Sequence, residues 1–283
     1  MSRFAFVNGE YCEHRDSFVH IEDRGYQFAD GVYEVFAVIN KKIVDFDGHL
    51  NRLFRSLNEI SLNSPIVREA YLFHIRNLIS KNKIKDGLVY LQISRGVAQR
   101  DFKFPKNIKP SIVITAKSIS MDFYYSKFNK GIKVKTTEDL RWKRVDIKTL
   151  NLLPPVLAKQ KAIENNCDEA WMIDSDGYVT EGSSSNAWIL IKDKLITTPA
   201  TTSILKGITR TSLINALKKE RIKLIEKRFN KKDIKDANEA FITSATQFVM
   251  PVVKVDSIKI GNGKVGKYAN IFKDAYMEAV QLK

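Results

Sequence analysis

The hydrophobic period of this chain switches between two residues and about 3.6 several times, with turn-forming residues between the switches. "GVYEVFAVINKKIVDF" alternates as two strands would, with a turn at Asn40-Lys41, and "RFAFVNGEYC" before it also reads as strand. "HLNRLFRSLNEI" places Leu50, Leu53, Phe54, Leu57 and Ile60 at helical spacing, and "REAYLFHIRNLISKN" repeats the pattern. "LVYLQISRG" and "PSIVITAKSI" return to strand. "SMDFYYSKFNKG" breaks both periods and marks a boundary near 120–130, before "IKVKTTEDLRW" resumes as strand. The second half gives a helix over about 154–165, strands "EAWMIDSDGYVTEG" and "NAWILIKDKLITTP", and a helix "ITRTSLINALKKER". Strands "EAFITSAT" and "VVKVDSIKI" follow, then a terminal helix "YANIFKDAYMEAVQ". Hairpins between the helices favour two α/β or α+β layers with mixed sheets over one doubly wound sheet. The expected domains are 1–120 and 121–283.

A chain of 283 residues, 44% of them hydrophobic, can bury one large or two modest cores. No apolar run reaches the roughly 18 residues of a membrane span. The first residues, "MSRFAFVNGEYCEHRD", carry charges where a secretory signal needs an apolar centre. Cys12 and Cys167 lie far apart with no ligand spacing, which suits a reducing compartment, so the expected location is the cytoplasm. A net charge of +15 raises nucleic acid as a partner, but the basic residues are interleaved with acids, as in "KKERIKLIEKRFNKKDIKDANE". An anionic substrate or cofactor fits the surplus as well.

Three familiar patterns fail on context. "GNGKVG" at 261–266 matches a dinucleotide fingerprint in letters, yet too little chain follows for the strand and acid such a site needs. It reads as a hairpin turn. His14, His20, His49 and His74 form no metal-ligand spacing, so no metal is expected. "EGSSSN" has serines but no nucleophile elbow.

What remains is a lysine. In "VDIKTLNLLPPVLAKQKA" the period implies a short strand, then a proline-punctuated entry into a helix, with Lys148 at the strand's end. Lys148 reads either as one more solvated cation or as an amine held near an apolar turn, where it could form an imine with a carbonyl. Glu181, in "VTEGSSSN", precedes a small-residue turn that a ring or phosphate could approach closely. A pyridine-based cofactor needs such a carboxylate at its ring nitrogen. Gly207 precedes a helix whose first turn holds Ile208 and Thr209, a natural anion site. Ser244 and Thr246 offer hydroxyls at a strand end, and Arg52, off the apolar stripe of its helix, could clamp a phosphate.

"EDRGYQFADGVYEVF", "HLNRLF", "SRGVAQRDFKFP", "DIKTLNLLPPVLAKQKA", "VTEGSSSN" and "ILKGITR" together resemble, in this order, the motifs of the fold-type IV pyridoxal-phosphate enzymes. That family spans branched-chain aminotransferases, D-amino-acid aminotransferases and aminodeoxychorismate lyase, and the bacterial D-amino-acid aminotransferases are the group this chain most resembles. The resemblance implies the two-domain α/β (α+β) fold of that family and pyridoxal 5'-phosphate as cofactor. It implies that Lys148 carries the cofactor and moves the proton, that Glu181 pairs with the pyridine nitrogen, and that Leu205 packs near the ring. Arg52, Ile208, Thr209 and Thr246 would bind the phosphate, while Tyr33 and Arg100 would hold the substrate carboxylate. It further implies a homodimer in which the "RGVAQRDF" loop reaches the partner's site, with no nucleic-acid or membrane partner.

Two positions depart from the family pattern. Phe102 stands where the D-amino-acid group usually has a histidine, which leaves the carboxylate trap one donor short unless a cation such as Arg24 substitutes. Ala245 stands where a hydroxyl residue is common. The expected reaction is transamination between D-alanine or D-glutamate and pyruvate or 2-oxoglutarate. The alternatives are an L-branched-chain aminotransferase, an aminodeoxychorismate lyase, and a basic nucleic-acid-binding protein without catalysis.

Overall fold

The computed structural model describes residues 3–218 and 222–280, and the chain divides into two compact units. The first comprises Met1–Ser120 with Ile147–Asn151, and the second Met121–Asp146 with Leu152–Lys283. Residues 147–151 therefore pack with the first unit, although the sequence reading put them in the second domain.

In the first unit the elements are β1 (Phe4–Val7), β2 (Glu10–Glu13), α1 (Arg24–Phe28), β3 (Gly31–Ile39), β4 (Lys42–Ile43), α2 (Phe46–Glu59), α3 (Arg68–Lys81), β5 (Gly87–Ser94) and β6 (Ser111–Ser118). The strands form one antiparallel sheet in the order β2-β1-β6-β5-β3-β4. Alternate residues of β3 point to opposite faces, so Val32, Glu34 and Phe36 are buried while Tyr33 and Val35 stay half-open. The buried face meets Leu50, Leu53 and Leu57 of α2 and Tyr71, Ile75 and Leu78 of α3. Asn40 and Lys41 both take positive φ, as a tight two-residue hairpin requires.

The second unit contains α4 (Met121–Lys130), β7 (Ile132–Glu138), α5 (Leu153–Glu164), β8 (Glu169–Ile173), β9 (Tyr178–Gly182), β10 (Asn186–Ile191), β11 (Lys194–Thr197), α6 (Ile208–Leu217), β12 (Lys223–Glu226), β13 (Phe229–Asn230), α7 (Lys231–Lys235), β14 (Glu239–Ser244), β15 (Phe248–Val255), β16 (Ile258–Lys259) and α8 (Lys267–Ala279). Its sheet is mixed: β7 runs parallel to both β15 and β8, and β11 parallel to β12. α5 lies on β7 and β8, where Ala158 and Ala162 meet Ala170 and Met172, small side chains that allow close helix–sheet approach. α8 covers β14 and β15, with Phe272 against Phe241.

Several local expectations change. "SMDFYYSKFNKG" is helix α4, because Tyr124 and Phe128, four residues apart, are its buried stripe. A two-residue stripe is too short to register as a period. "EAWMIDSDGYVTEG" and "NAWILIKDKLITTP" each fold as a hairpin of two strands, turning at Gly177 and Lys192, both with positive φ. Residues 219–221 of the helix expected from 208, and Gln281 of the terminal helix, lie outside the described residues. "GNGKVG" is the turn that joins β16 to α8, and the α8 amides of Tyr268 and Ala269 donate to the Glu239 carboxylate at 3.0 Å each. Those donors are spent on Glu239.

Glu34 is a fully buried carboxylate on the core-facing side of β3. It accepts from Arg52 Nε at 2.7 Å, Arg52 Nη2 at 2.8 Å and His49 Nδ1 at 2.8 Å. Burial works to raise the Glu34 carboxyl, but the Arg52 charge and both hydrogen-bond partners outweigh it and hold it at about 2. A depressed carboxyl stabilises the fold above its unfolded value of 4.5, and that share is lost as pH falls toward 2. Glu34→Gln should therefore cost on the order of 3 kcal/mol at pH 7 and flatten the acid limb between pH 4.5 and 2. Urea midpoints of the two proteins at pH 7, 4.5 and 3.5 check this; parallel acid limbs would sink it.

Candidate active site

The first unit places Lys148 beside Tyr33, but not on a strand. Residues 145–150 form turn and bend, with a single bridge between Thr149 and Val32. The strand reading fails because the segment never pairs along its length; it only lines the edge of β3. Two backbone bonds hold it there, Tyr33 N to Lys148 O at 3.0 Å and Leu150 N to Gly31 O at 3.1 Å. A third support comes from α2, whose Ser56 Oγ accepts from Lys148 N at 3.3 Å. Gly31 is required at this edge, since a Cβ there would run into the Ile93 carbonyl oxygen and the Leu150 side chain. With its backbone so fixed, Lys148 sets Nζ 4.1 Å from the centroid of the Tyr33 ring.

Arg52 stands one turn before Ser56 on α2. It is not the solvated helix arginine that its place off the apolar stripe implies. Glu34 takes its Nε and Nη2, which fixes the plane of the guanidinium. Arg100 lies elsewhere, on the exposed connection between β5 and β6, with its guanidinium 4.6 Å from the centroid of Phe28. Arg24, considered as a spare cation for substrate, is buried and already bound to Asp30 and to the Asp101 carbonyl.

The second unit builds its own cluster around Glu181, at the buried end of β9. Glu181 accepts from Asn186 Nδ2 at 2.9 Å, from Leu205 N at 3.0 Å and from Arg141 Nη1. Leu205, expected as a packing residue, thus contributes its backbone N–H. Burial pushes the Glu181 carboxyl above its ordinary value against the pull of Arg141 and Leu205. Arg141 is itself pinned by Asp139, with Nε to Oδ1 at 2.8 Å and Nη2 to Oδ2 at 2.6 Å. Burial works to lower the Arg141 guanidinium, but its bonds to Asp139 and the charge of Glu181 hold it above the usual value. Arg141 escaped the sequence reading; the only signal was a short acid-to-base spacing in "EDLRW".

Close by, α6 begins at Gly207 with no side chain capping its first turn, which leaves the N–H groups of Ile208 and Thr209 for an anion. Asn186 joins this helix start to Glu181, since its Nδ2 also donates to Leu205 O at 2.9 Å. A Cβ at Gly207 would strike Asn186 Oδ1. Asn186 pairs in register with Thr243, which brings the end of β14 alongside. There the hydroxyls of Ser244 and Thr246 lie 3.3 Å apart, and Ser244 Oγ accepts from Gln247 N at 3.1 Å. The serine turn is less open than its composition implied. Ser183, Ser184 and Ser185 all donate their hydroxyls to the buried Glu169 carboxylate. The donor types of the second unit fit a phosphorylated pyridine, with helix amides and strand-end hydroxyls for the phosphate and a fixed carboxylate for the ring nitrogen, and the first unit by itself offers an amine of the kind an aldehyde takes.

Residues 31–255 match the family Amino-transferase class IV. The D-alanine aminotransferase of Staphylococcus haemolyticus is 38% identical over 98% of this chain and 97% of its own length. That of Bacillus licheniformis is 37% identical over 96% and 95%. Among solved structures, the branched-chain amino acid aminotransferase from Escherichia coli superposes with a TM-score of 0.88 at 22% identity, over 99% of this chain and 95% of that one. A hypothetical aminotransferase from Mycobacterium tuberculosis, in its PLP-bound form, does so with a TM-score of 0.84 at 18% identity, over 98% of each chain. At those identities the likeness speaks for the fold.

Removing Arg141 would leave Glu181 buried with its nearest cation gone, a loss of about 3–5 kcal/mol for a broken buried pair. Arg141→Met should show a loss of that size in urea, and Arg141→Met/Glu181→Gln should regain part of it. Additive losses in the double-mutant cycle would show that the two side chains are not coupled.

Proposed function

The chain belongs to the class IV aminotransferases, and on that premise we propose that it interconverts D-amino acids and 2-oxo acids with pyridoxal 5'-phosphate. D-alanine and D-glutamate are the amino donors, and pyruvate and 2-oxoglutarate their keto partners. The observation that carries this reading is the Lys148 amine, on a segment held by two backbone bonds and by the Ser56 hydroxyl and directed over Tyr33, in a chain that matches D-alanine aminotransferases almost end to end. A member of this family is an enzyme, which sets aside the non-catalytic reading of the basic charge.

Bound, the cofactor supplies an electron sink for the pair left when the substrate Cα–H bond breaks. Lys148 Nζ would hold the cofactor through its aldehyde and, freed when the substrate amine takes that place, would be the base that takes up and moves the substrate Cα proton. Glu181 would pair with the ring nitrogen, its two oxygens already oriented by Asn186, Leu205 and Arg141. The amides of Ile208 and Thr209 and the hydroxyls of Ser244 and Thr246 would hold the phosphate by hydrogen bonds, and the Arg52 guanidinium would supply positive charge. Because Glu34 fixes Arg52 beforehand, little order is lost when an anion arrives. Tyr33 and Arg100 orient the substrate carboxylate.

We further propose a cytoplasmic homodimer with the two-domain organisation of its family. Leu153, Val156 and Leu157 expose an apolar stripe on α5, which supports association with a second copy. Among the described residues no helix is long and apolar enough to cross a membrane. Leu157→Glu should shift the mass measured by light scattering from dimer to monomer, whereas an unchanged mass would remove α5 from the interface.

Borohydride reduction followed by peptide mapping should place the pyridoxyl group on the peptide containing "VDIKTL"; recovery on Lys159 or Lys161 would reassign the amine. Chirality-resolved product analysis should yield D-alanine from pyruvate and D-glutamate. L-products from branched 2-oxo acids, or pyruvate released from aminodeoxychorismate, would replace the proposed reaction by one of its same-fold alternatives.

A further inference from the structure

We propose that Phe28 is a positioning residue for Arg100, and that Phe102 completes its aromatic support rather than marking a lost hydrogen-bond donor. This rests on the reading of Arg100 as a ligand of the substrate carboxylate.

Arg100 sits on the exposed connection from Gly96 to Pro110, and a long side chain on such a loop loses considerable rotamer freedom if it must bind in one pose. The structure limits that freedom from below. Asp30 Oδ2 accepts from two buried arginines, Arg24 Nε at 2.8 Å and Arg95 Nε at 2.7 Å. Each arginine reaches onward to the loop. Arg24 Nη1 donates to the Asp101 carbonyl at 2.6 Å, and the Arg95 guanidinium lies 3.6 Å from the centroid of Phe104. Arg95 is tied back to the body by the Ile60 and Ser61 carbonyls, at 2.8 and 3.2 Å. The loop is thereby pinned just after Arg100 and again at Phe104.

Phe28 lies at the meeting point. It follows Arg24 by one turn of α1, so the Arg24 guanidinium covers its ring at 4.6 Å from the centroid. Arg100 lies 4.6 Å from the same centroid. Phe102 is 85% exposed, yet its ring reaches Phe28 at 5.5 Å with a 56° tilt, a common aromatic pairing. The three side chains therefore form one aromatic–cation cluster around Phe28, anchored through Arg24 to Asp30. An imidazole at 102 would weaken the packing on Phe28 and add a polar group beside two cations. By resemblance to the D-amino-acid group Phe102 stands for a missing donor; the geometry gives the ring a different task.

The test is a kinetic cycle on the holoenzyme with D-alanine and D-glutamate. Arg100→Ala should raise KM at least tenfold, which checks the underlying reading. Phe28→Leu should raise KM about fivefold with kcat within twofold, the mark of lost ground-state binding, and Phe28→Trp should restore it. Arg100→Ala/Phe28→Leu should match Arg100→Ala alone, because a platform has no effect once its arginine is gone. Phe102→His, on the exposed side, should also raise KM and remains informative if Phe28→Leu folds poorly. An Arg100→Ala enzyme with unchanged KM would overturn the carboxylate reading and the proposal with it. A sharp rise for Arg100→Ala, with Phe28→Leu and Phe102→His at the wild-type KM or better, would overturn the proposal alone. So would additive effects in the double variant.

Discussion

A fully buried carboxylate stays ionised only if a positive partner comes with it, and in the first unit that condition ties sheet to helix. Glu34 is on β3, Arg52 and His49 are on α2, and their bonds leave α2 little freedom to rotate on the sheet. Tyr33 precedes Glu34 and must face the other way, toward Lys148. Ser56, one turn after Arg52 on α2, receives the Lys148 amide. One buried ion pair thus fixes the helix that supports the amine and the strand that presents the tyrosine. Removing it would disturb both faces of the sheet.

The second unit solves a parallel problem at Glu181. Arg141 is shared between Asp139 and Glu181, and the backbone N–H of Leu205 and the amide of Asn186 supply neutral donors. A carboxylate held by a guanidinium and two amides can present its oxygens to a ligand without reorganising. Asn186 extends the same order to Gly207 and β14, so that the helix start and the hydroxyls at the strand end share one reference point. The Glu169 contacts to three serines hold the intervening turn from behind.

Both units also show how arginine is used in this chain. Arg52, Arg141, Arg24 and Arg95 are each oriented by a carboxylate within its own unit, and the last three give further N–H groups or a flat face to another partner. Lysines make up much of the basic surplus and lie mainly at the surface. The charge that matters for chemistry is a small, paired fraction of the total.

The sequence by itself determined the alternation of strands and helices, because periods of two and 3.6 survive in any amphipathic element long enough to repeat. It also determined the chemistry-bearing residue types, through motifs such as "DIKTLNLL" and "VTEGSSSN", whose order along the chain is characteristic. It missed α4, whose buried stripe is two residues, and it made a strand of 145–148, where apolar alternation is present but no neighbour pairs along it. Only tertiary structure decided that Arg52 is held by Glu34, that Arg141 accompanies Glu181, and that Phe102 lies against Phe28. Those partners are 18, 40 and 74 residues apart or lie on elements whose packing no local period encodes. A side chain's pattern records which face it occupies; its partner depends on what the fold brings to that face.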